Sequence, residues 1–301
     1  MGSKKVKYDF FVLKYLEGNK DLFNEKLVKE YLKTDKTEVE LSKTILRLGT
    51  LEKIKRNDSF ATMEDNYIWT AAIERINTDE ESYVGKKGES TRKTYATNPD
   101  EGPLNDTVFL YDPQTRVLIA QRNRGGVALN AMLNFIIALS HSEKIDLEIM
   151  IDPKILDKLD KIPLIKSIEY SIAQPSNFDD HQNKGRTPFG DIHLANKLKA
   201  DNLKVVVGTD KNEYLERENT IRKVKSIIHS KNKVNTMKVN GFHGEEEEIL
   251  DLVRQRIEHA DNVKAGRGKK VSYIHIMDNI LKAYRKKYQI ISDYTKEERL
   301  N

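Results

Sequence analysis

The sequence predicts an α+β fold with mixed, largely antiparallel sheets, flanking helices and two domains. Short alternating apolar segments, typical of half-buried strands, outnumber the segments with helical periodicity. These segments follow one another without the steady strand–helix–strand alternation of a doubly wound parallel sheet. A length of 301 residues suits two domains of ordinary size.

The first half of the chain is predicted to be rich in β-structure. Tyr8 to Leu16 runs apolar as a partly buried strand does, whereas Asp21 to Leu32 has helical spacing. Three β segments are predicted to form an antiparallel meander, at Val39 to Thr50, Ser59 to Glu64 and Tyr67 to Ile76. Thr78 to Gly102 has few large apolar residues, which favours an exposed connection.

The clearest local signal is a β-hairpin. Two apolar runs, Thr107 to Tyr111 and Arg116 to Gln121, flank the turn sequence Asp112-Pro113-Gln114-Thr115. Gly125-Gly126 then leads into Val127 to Leu139, whose apolar positions and alanine content favour a buried helix. We therefore predict that the first domain comprises residues 1–140.

Residues 141–301 are predicted to form a second α+β domain with basic loops. We expect strands at Ile145–Ile151, Leu164–Ile172, Leu203–Val207 and Val234–Phe242, and helices at Asp191–Ala200 and Leu215–Lys231. Asp261 to Lys270 is predicted to be a loop rich in glycine and lysine. Ser272 to Ile291 has the apolar stripe of a C-terminal amphipathic helix, and its three tyrosines predict a homodimer.

Composition excludes several classes of protein. The chain has no cysteine, which excludes disulfides, thiolate nucleophiles and cysteine-ligated metal sites. The longest apolar stretch, Ala128 to Leu139, is far shorter than the roughly 20 residues of a membrane span, so we expect a cytoplasmic protein without membrane insertion. Gly125-Gly126 matches neither a P-loop nor a dinucleotide fingerprint, and no hydrolase, metalloprotease or kinase signature occurs. No catalytic residue and no cofactor is therefore predicted.

Two acidic groups are candidates for a metal-dependent nuclease, the alternative function. The first combines three carboxylates and two imidazoles, from Asp179, Asp180, His181, Asp191 and His193. The second is the acidic cluster Glu245 to Glu248 with Asp251. Each has a simpler interpretation, because Asp191 suits a helix cap and a glutamate run suits a solvated surface. No metal ligand is therefore predicted.

Basic residues are the more suggestive group. Lys and Arg number 52 against 47 Asp and Glu, a mild excess of +5. Several lie in predicted loops, where they can reach phosphates, and sparse interleaving with aromatic residues favours duplex backbone over base stacking. The predicted DNA-binding residues are Arg122, Arg124, Lys184, Arg186, Lys231, Lys233, Lys264, Arg267, Lys269 and Lys270. The alternatives are solubility alone, or an adaptor or inhibitor whose charged faces meet another protein.

Five segments together carry a resemblance to known proteins. They are the strand Tyr8 to Leu16, Thr107-Val-Phe-Leu-Tyr-Asp112, the turn Arg122-Asn-Arg-Gly-Gly126, Ile249-Leu-Asp-Leu-Val253 and the helix Ile276 to Tyr288. In this layout the chain resembles RexA-type phage-exclusion proteins and the KwaB subunit of the Kiwa anti-phage system. The resemblance implies a non-enzymatic homodimer that binds double-stranded DNA largely regardless of sequence, in phage exclusion or anti-phage defence. A second defence-system protein is a further candidate partner.

Overall fold

The computed structural model describes residues 2–15, 22–33, 37–41, 44–56, 66–78, 83–85, 92–94, 98, 101–123, 125–140, 145–173, 190–210, 213–228, 233–244, 246–266 and 271–300. The chain forms two compact units. Unit 1 comprises Met1–Leu147 and Glu258–Asn301, and unit 2 comprises Glu148–Ile257. Each unit is built on an antiparallel sheet, which confirms the predicted α+β class.

The elements are numbered in chain order. The strands are β1 Gly2–Tyr15, β2 Val39–Leu41, β3 Thr44–Lys55, β4 Tyr67–Ile76, β5 Tyr83–Gly85, β6 Arg92–Thr94, β7 Leu104–Asp112, β8 Val117–Gln121, β9 Ile145–Ile149, β10 Leu164–Ala173, β11 Asn202–Gly208, β12 Lys233–His243, β13 Glu246–Asp251 and β14 Glu258–Ala265. The helices are α1 Leu22–Lys33, α2 Leu129–Ser140, α3 Pro153–Lys161, α4 Gly190–Lys197, α5 Arg217–Ile228 and α6 Tyr273–Leu300.

The large sheet of unit 1 has the order β14-β1-β8-β7-β4-β3-β2, and β9 also pairs with β1. The predicted hairpin is confirmed, because β7 pairs with β8 across the turn at residues 113–116. Side chains such as Phe10, Phe109 and Ile68 are fully buried. The sheet therefore supplies a hydrophobic core on which α6 packs through Ile276, Ile280 and other apolar residues.

The predicted meander and the predicted connection are both partly described. β2, β3 and β4 pair antiparallel in sequence order, whereas the segment predicted at 59–64 lies outside the described residues. Within the connection predicted at 78–102, β5 and β6 form a small antiparallel sheet of their own. This segment therefore contains regular structure that its polar composition did not indicate.

The sequence prediction was wrong about the segment that begins at Asp261. The first residues of the predicted loop belong to a strand, because β14 runs from Glu258 to Ala265 and pairs antiparallel with β1. Only Val263 and Ala265 are buried apolar positions, so the local sequence has little strand character. Pairing with β1, some 250 residues earlier in the sequence, overrides this weak local preference. Lys4 of β1, for example, lies opposite Val263.

This pairing also changes the domain division. A boundary at residue 140 lies close to the point where the chain leaves unit 1, after Leu147. The C-terminal part of the predicted second domain, however, returns to unit 1, because β14 completes the large sheet and α6 packs on it. Unit 2 is thus an insertion in the sequence of unit 1.

Unit 2 has a sheet of order β11-β10-β12-β13. In its core, Tyr170 and Val239 of the sheet cluster with Val224 and Ile227 of α5.

Local sequence signals set the two ends of α3, the first helix of unit 2. Asp152 caps α3 by accepting a 3.0 Å hydrogen bond from the Lys154 amide, and Pro153 occupies its first turn. The helix stops at Ile162, which is extended because a proline follows it.

Candidate nucleic-acid interface

The structure describes only a few of the predicted DNA-binding residues. The side chains of Arg122 and Lys264 are described, both in unit 1, and Lys233 is described as the first residue of β12 in unit 2. The other predicted residues lie outside the described part of the chain: Arg124, Lys184, Arg186, Lys231, Arg267, Lys269 and Lys270.

Arg122 is engaged by two carboxylates of its own unit. Its Nε donates a 2.9 Å hydrogen bond to Oδ2 of Asp9, and its Nη2 donates to Oδ1 of Asp9 and, at 3.0 Å, to Oε2 of Glu258. Hydrogen bonding to Asp9 raises the pKa of Arg122 above its ordinary value, opposed in part by burial. The Arg122 charge is therefore balanced within the protein, which leaves it less suited to a phosphate than the sequence predicted.

Lys264 belongs instead to a ribbon formed by the start of β1 and by β14. Gly2–Lys7 of β1 pairs residue by residue with Ala260–Ala265 of β14, and β8 pairs with β1 only from Tyr8 onward. Directly opposite residues share one side of such a ribbon. The side that we call the ribbon face carries Ser3, Lys5, Lys7, Ala260, Asn262 and Lys264.

The ribbon face is exposed and cationic. Ser3, Lys5, Asn262 and Lys264 are all exposed. Neither Lys5 nor Lys264 forms an ion pair with any residue that the structure describes. Lys7 lies 4.0 Å from Oε1 of Glu258, at the end of the face where Glu258 and Arg122 meet. The acidic groups therefore offset the positive charge at one end of the ribbon face, whereas the other end stays positively charged.

The opposite side of the ribbon is backed by α6. Val6, Tyr8 and Val263 are buried there, and the Tyr8 hydroxyl donates a 3.4 Å hydrogen bond to the carbonyl of Ile276. Burial raises the pKa of Tyr8 above its ordinary value. Asn279 of α6 donates a 3.1 Å hydrogen bond to Asp261 of β14. These contacts hold the ribbon in place, so its lysines are presented on a fixed backbone.

His259 lies beside this packed side, stacked on Tyr8 with ring centroids 6.5 Å apart. Burial lowers its pKa below the ordinary value, and the positive charges of Lys286 and Lys287 lower it further, against the attraction of Asp261. Its Nε2 is buried and makes no hydrogen bond within the described residues. The neutral imidazole is therefore the form that the folded protein favours near pH 7.

A second cationic group occupies α6 itself. Lys282, Arg285 and Lys286 are exposed and lie on one side of the helix at the spacing i, i+3, i+4; we call them the α6 stripe. None of them forms an ion pair with a described residue. The sequence alone indicates this positive charge, since no Asp or Glu occurs between Asp278 and Asp293. It was missed because only the apolar side of this helix entered the prediction.

The tyrosines that predicted a homodimer are accounted for within the chain. Tyr284 is 1% exposed, and the Tyr273 hydroxyl accepts a 2.6 Å hydrogen bond from Thr50. Tyr288 is partly exposed and packs edge-on against Tyr284, with ring centroids 5.6 Å apart. The apolar side of α6 thus covers its own sheet, and the homodimer remains a prediction without this support.

Gly125-Gly126 has a packing role. The Gly126 amide donates to the carbonyl of Asn123 at 3.2 Å, and the Val127 amide donates to Oγ1 of Thr107 at 2.8 Å. A Cβ on Gly126 would stand 2.2 Å from that Thr107 oxygen, so only glycine fits. The amides of Gly126 and Val127 are therefore both occupied by acceptors of the chain itself.

The acidic candidates do not converge where they are described. Asp191 accepts hydrogen bonds from Lys223 at 3.0 and 3.1 Å, and Glu248 lies 3.3 Å from Lys158. Asp179, Asp180, His181 and Glu245 lie outside the described residues. Among the residues that are described, no group of three or more His, Asp or Glu side chains could hold a metal ion.

In the described part of the chain, no helix is both long enough and apolar enough to span a membrane.

Comparison with known proteins places the chain in a family. No curated protein matches the sequence. A family model matches residues 1–297, which includes all of unit 2, unit 1 except for its last four residues, and the whole ribbon. The chain belongs to this family, DUF6731, a family of unknown function.

Proposed function

We propose that the protein binds double-stranded DNA, largely independently of sequence, through the ribbon face. The observation that carries the proposal is the register of β1 and β14, which places Lys5, Lys7 and Lys264 on one side together with Ser3 and Asn262. Lysine, serine and asparagine side chains are all common partners of DNA phosphates.

The dimensions of the ribbon suit a duplex. Lys5 and Lys7 are two residues apart on one strand, so their Cα atoms lie about 6.8 Å apart, and the neighbouring strand is about 4.8 Å away. A two-stranded ribbon is narrow enough to enter the major groove of B-DNA. The cations can therefore follow a sugar–phosphate backbone while the polar side chains contact phosphate oxygens.

The residue types favour backbone binding over base recognition. A lysine ammonium acts as a point charge, whereas specific reading of guanine relies mainly on bidentate arginine. Arg122, the described arginine that meets Glu258 at one end of this face, is held by Asp9 and Glu258. Contacts of this kind fix position on the duplex without selecting a sequence.

The biological setting is proposed on the resemblance alone. The layout that resembles RexA-type proteins and KwaB supports a role in phage exclusion or anti-phage defence. The same resemblance supports a homodimer, and a second defence-system protein is a further candidate partner. DNA binding by the ribbon is compatible with either a monomer or a dimer, so its test does not depend on this setting.

The test compares two double variants in fluorescence anisotropy with a labelled duplex of random sequence. Lys5→Gln with Lys264→Gln should reduce the magnitude of the log–log salt slope by up to about 1.8, because each phosphate contact contributes about 0.9. Lys154→Gln with Lys161→Gln removes the same charge from exposed positions of α3 and should leave the slope unchanged. The proposal fails if the parent protein does not bind the duplex at low salt, or if both variants behave alike.

A further inference from the structure

We propose that the α6 stripe is a second DNA-binding surface and that one chain can bridge two duplexes, an inference that rests on the proposed DNA binding by the ribbon. The partner of the stripe is a second segment of double-stranded DNA. The observations that carry it are the position of the stripe behind the ribbon, its exposure, and the absence of an ion pair between the stripe and any residue that the structure describes.

The two surfaces face away from each other across one layer of unit 1. Tyr8 and Val263 turn toward α6, whereas Lys5 and Lys264 occupy the other side of the same strands. The side of α6 opposite the stripe carries buried residues such as Ile280 and Ala283, so that side faces the sheet. Lys282 and Arg285 consequently point away from the sheet.

The helix separates most of the stripe from the ribbon face. The body of α6, about 10–12 Å in diameter, lies between them in addition to the strand layer. A duplex on the ribbon face therefore does not cover the α6 stripe, and in solution at 0.1 M salt its charge is screened over a Debye length of about 10 Å. Lys286 is the member of the stripe whose charge reaches the strands, since it lowers the pKa of His259 and of Asp261 in β14.

The charge on the stripe is available to an external anion. Lys282, Arg285 and Lys286 form no ion pair with a described residue, and they lie within a segment free of acidic residues from 279 to 292. Of the three, Lys286 attracts the carboxylate of Asp261, which also accepts a hydrogen bond from Asn279, and it repels the protonated form of His259. Three cations within about one helical turn can neutralise two or three phosphates of a single backbone.

The experiment measures bridging directly. A biotinylated duplex on beads is incubated with the full-length protein and a second, fluorescent duplex, and the captured fluorescence is recorded. The parent should capture the second duplex. Lys282→Gln, Arg285→Gln and Lys286→Gln together should lower this capture about tenfold or more. Binding of a single free duplex, measured by anisotropy, should change by less than about threefold because the ribbon is intact.

The controls separate this inference from the proposal on which it rests. The triple variant Lys154→Gln, Lys161→Gln and Lys197→Gln removes equal charge from exposed helical positions of unit 2 and should bridge like the parent. The inference is overturned if the α6 triple variant captures the second duplex as well as the parent, or if the parent binds one duplex but never captures another. Failure of the parent to bind any duplex would instead overturn the proposed function.

Discussion

The Tyr284 hydroxyl donates a 2.7 Å hydrogen bond to Oδ2 of Asp112, which ties the C-terminal helix to the end of β7. The other oxygen of Asp112 accepts a 2.6 Å hydrogen bond from Arg56 and a 3.0 Å hydrogen bond from the Gln114 amide. Asp112 is fully buried. Both of its oxygens therefore have partners, as a buried carboxylate requires.

We predict that Tyr284→Phe lowers the free energy of unfolding by about 1.5–3 kcal/mol, the range for a hydrogen bond to a charged group. The change keeps the ring and removes one donor from a buried carboxylate. Chemical denaturation measures this change in the free energy of unfolding. Tyr288→Phe is the matched control, because Tyr288 is partly exposed, and it should change stability by less than about 0.5 kcal/mol. Equal effects of the two changes would show that the hydrogen bond contributes little.

The elements that the sequence predicted well depend on local signals. The hairpin of β7 and β8 has a Pro-containing turn between two apolar runs, and α5 has Val224 and Ile227 on one stripe. β14 was missed because its pairing with β1 is set by partners far away in the sequence. The same reason explains the misplaced domain division, since no composition change marks the return of the chain to unit 1.

Contacts between distant parts of the chain decide which of the predicted basic residues are accessible. Arg122 was predicted to be available to phosphates, yet its partners Asp9 and Glu258 lie 113 and 136 residues away in sequence. No local pattern reveals such an ion pair. Lys264 was predicted to lie in a loop and instead occupies a strand, where its alignment with Lys5 follows from the register alone. Charge counts identified basic residues but not which of them share a surface.

We predict that protonation of His259 destabilises the folded protein. Its pKa in the folded state is lowered from the ordinary value of 6.5, so the unfolded chain binds the proton more tightly. The free energy of unfolding should therefore fall as the pH decreases below about 6.5, until the folded-state pKa is reached. Denaturation measured between pH 7.5 and 5, roughly this window, should show a weaker pH dependence for His259→Asn than for the parent. Identical pH profiles would contradict the prediction.

The cause of that lowered pKa can be tested separately. Lys286→Gln removes one of the positive charges that oppose protonation, so it should raise the pKa of His259 in an NMR titration. Lys282→Gln, farther round the helix, is the control and should leave the titration nearly unchanged.

We predict that Glu258→Gln strengthens DNA binding. Glu258 is the acidic neighbour of Lys7 at the end of the ribbon face where Glu258 meets Arg122. Removing the charge of Glu258 leaves Lys7 available to a phosphate. The salt slope should steepen by up to about 0.9. Folding should change by less than about 1 kcal/mol, because the pair is partly exposed and Arg122 keeps Asp9. Glu246→Gln in β13 removes an exposed charge elsewhere and should have no effect on the slope; a similar gain from both would indicate a general effect of net charge.

The last prediction concerns Arg267, Lys269 and Lys270, which follow directly after the ribbon in the sequence and lie outside the described residues. They follow Lys264 in the sequence by three to six residues and carry three positive charges. Replacing all three with glutamine should flatten the salt slope by up to about 2.7, alike for duplexes of unrelated sequence, because phosphate contacts carry no base information. Combined with Lys5→Gln and Lys264→Gln, the loss should be nearly additive if both groups contact one backbone. An unchanged slope for the triple variant would assign these residues to solubility and confine DNA binding to the ribbon face.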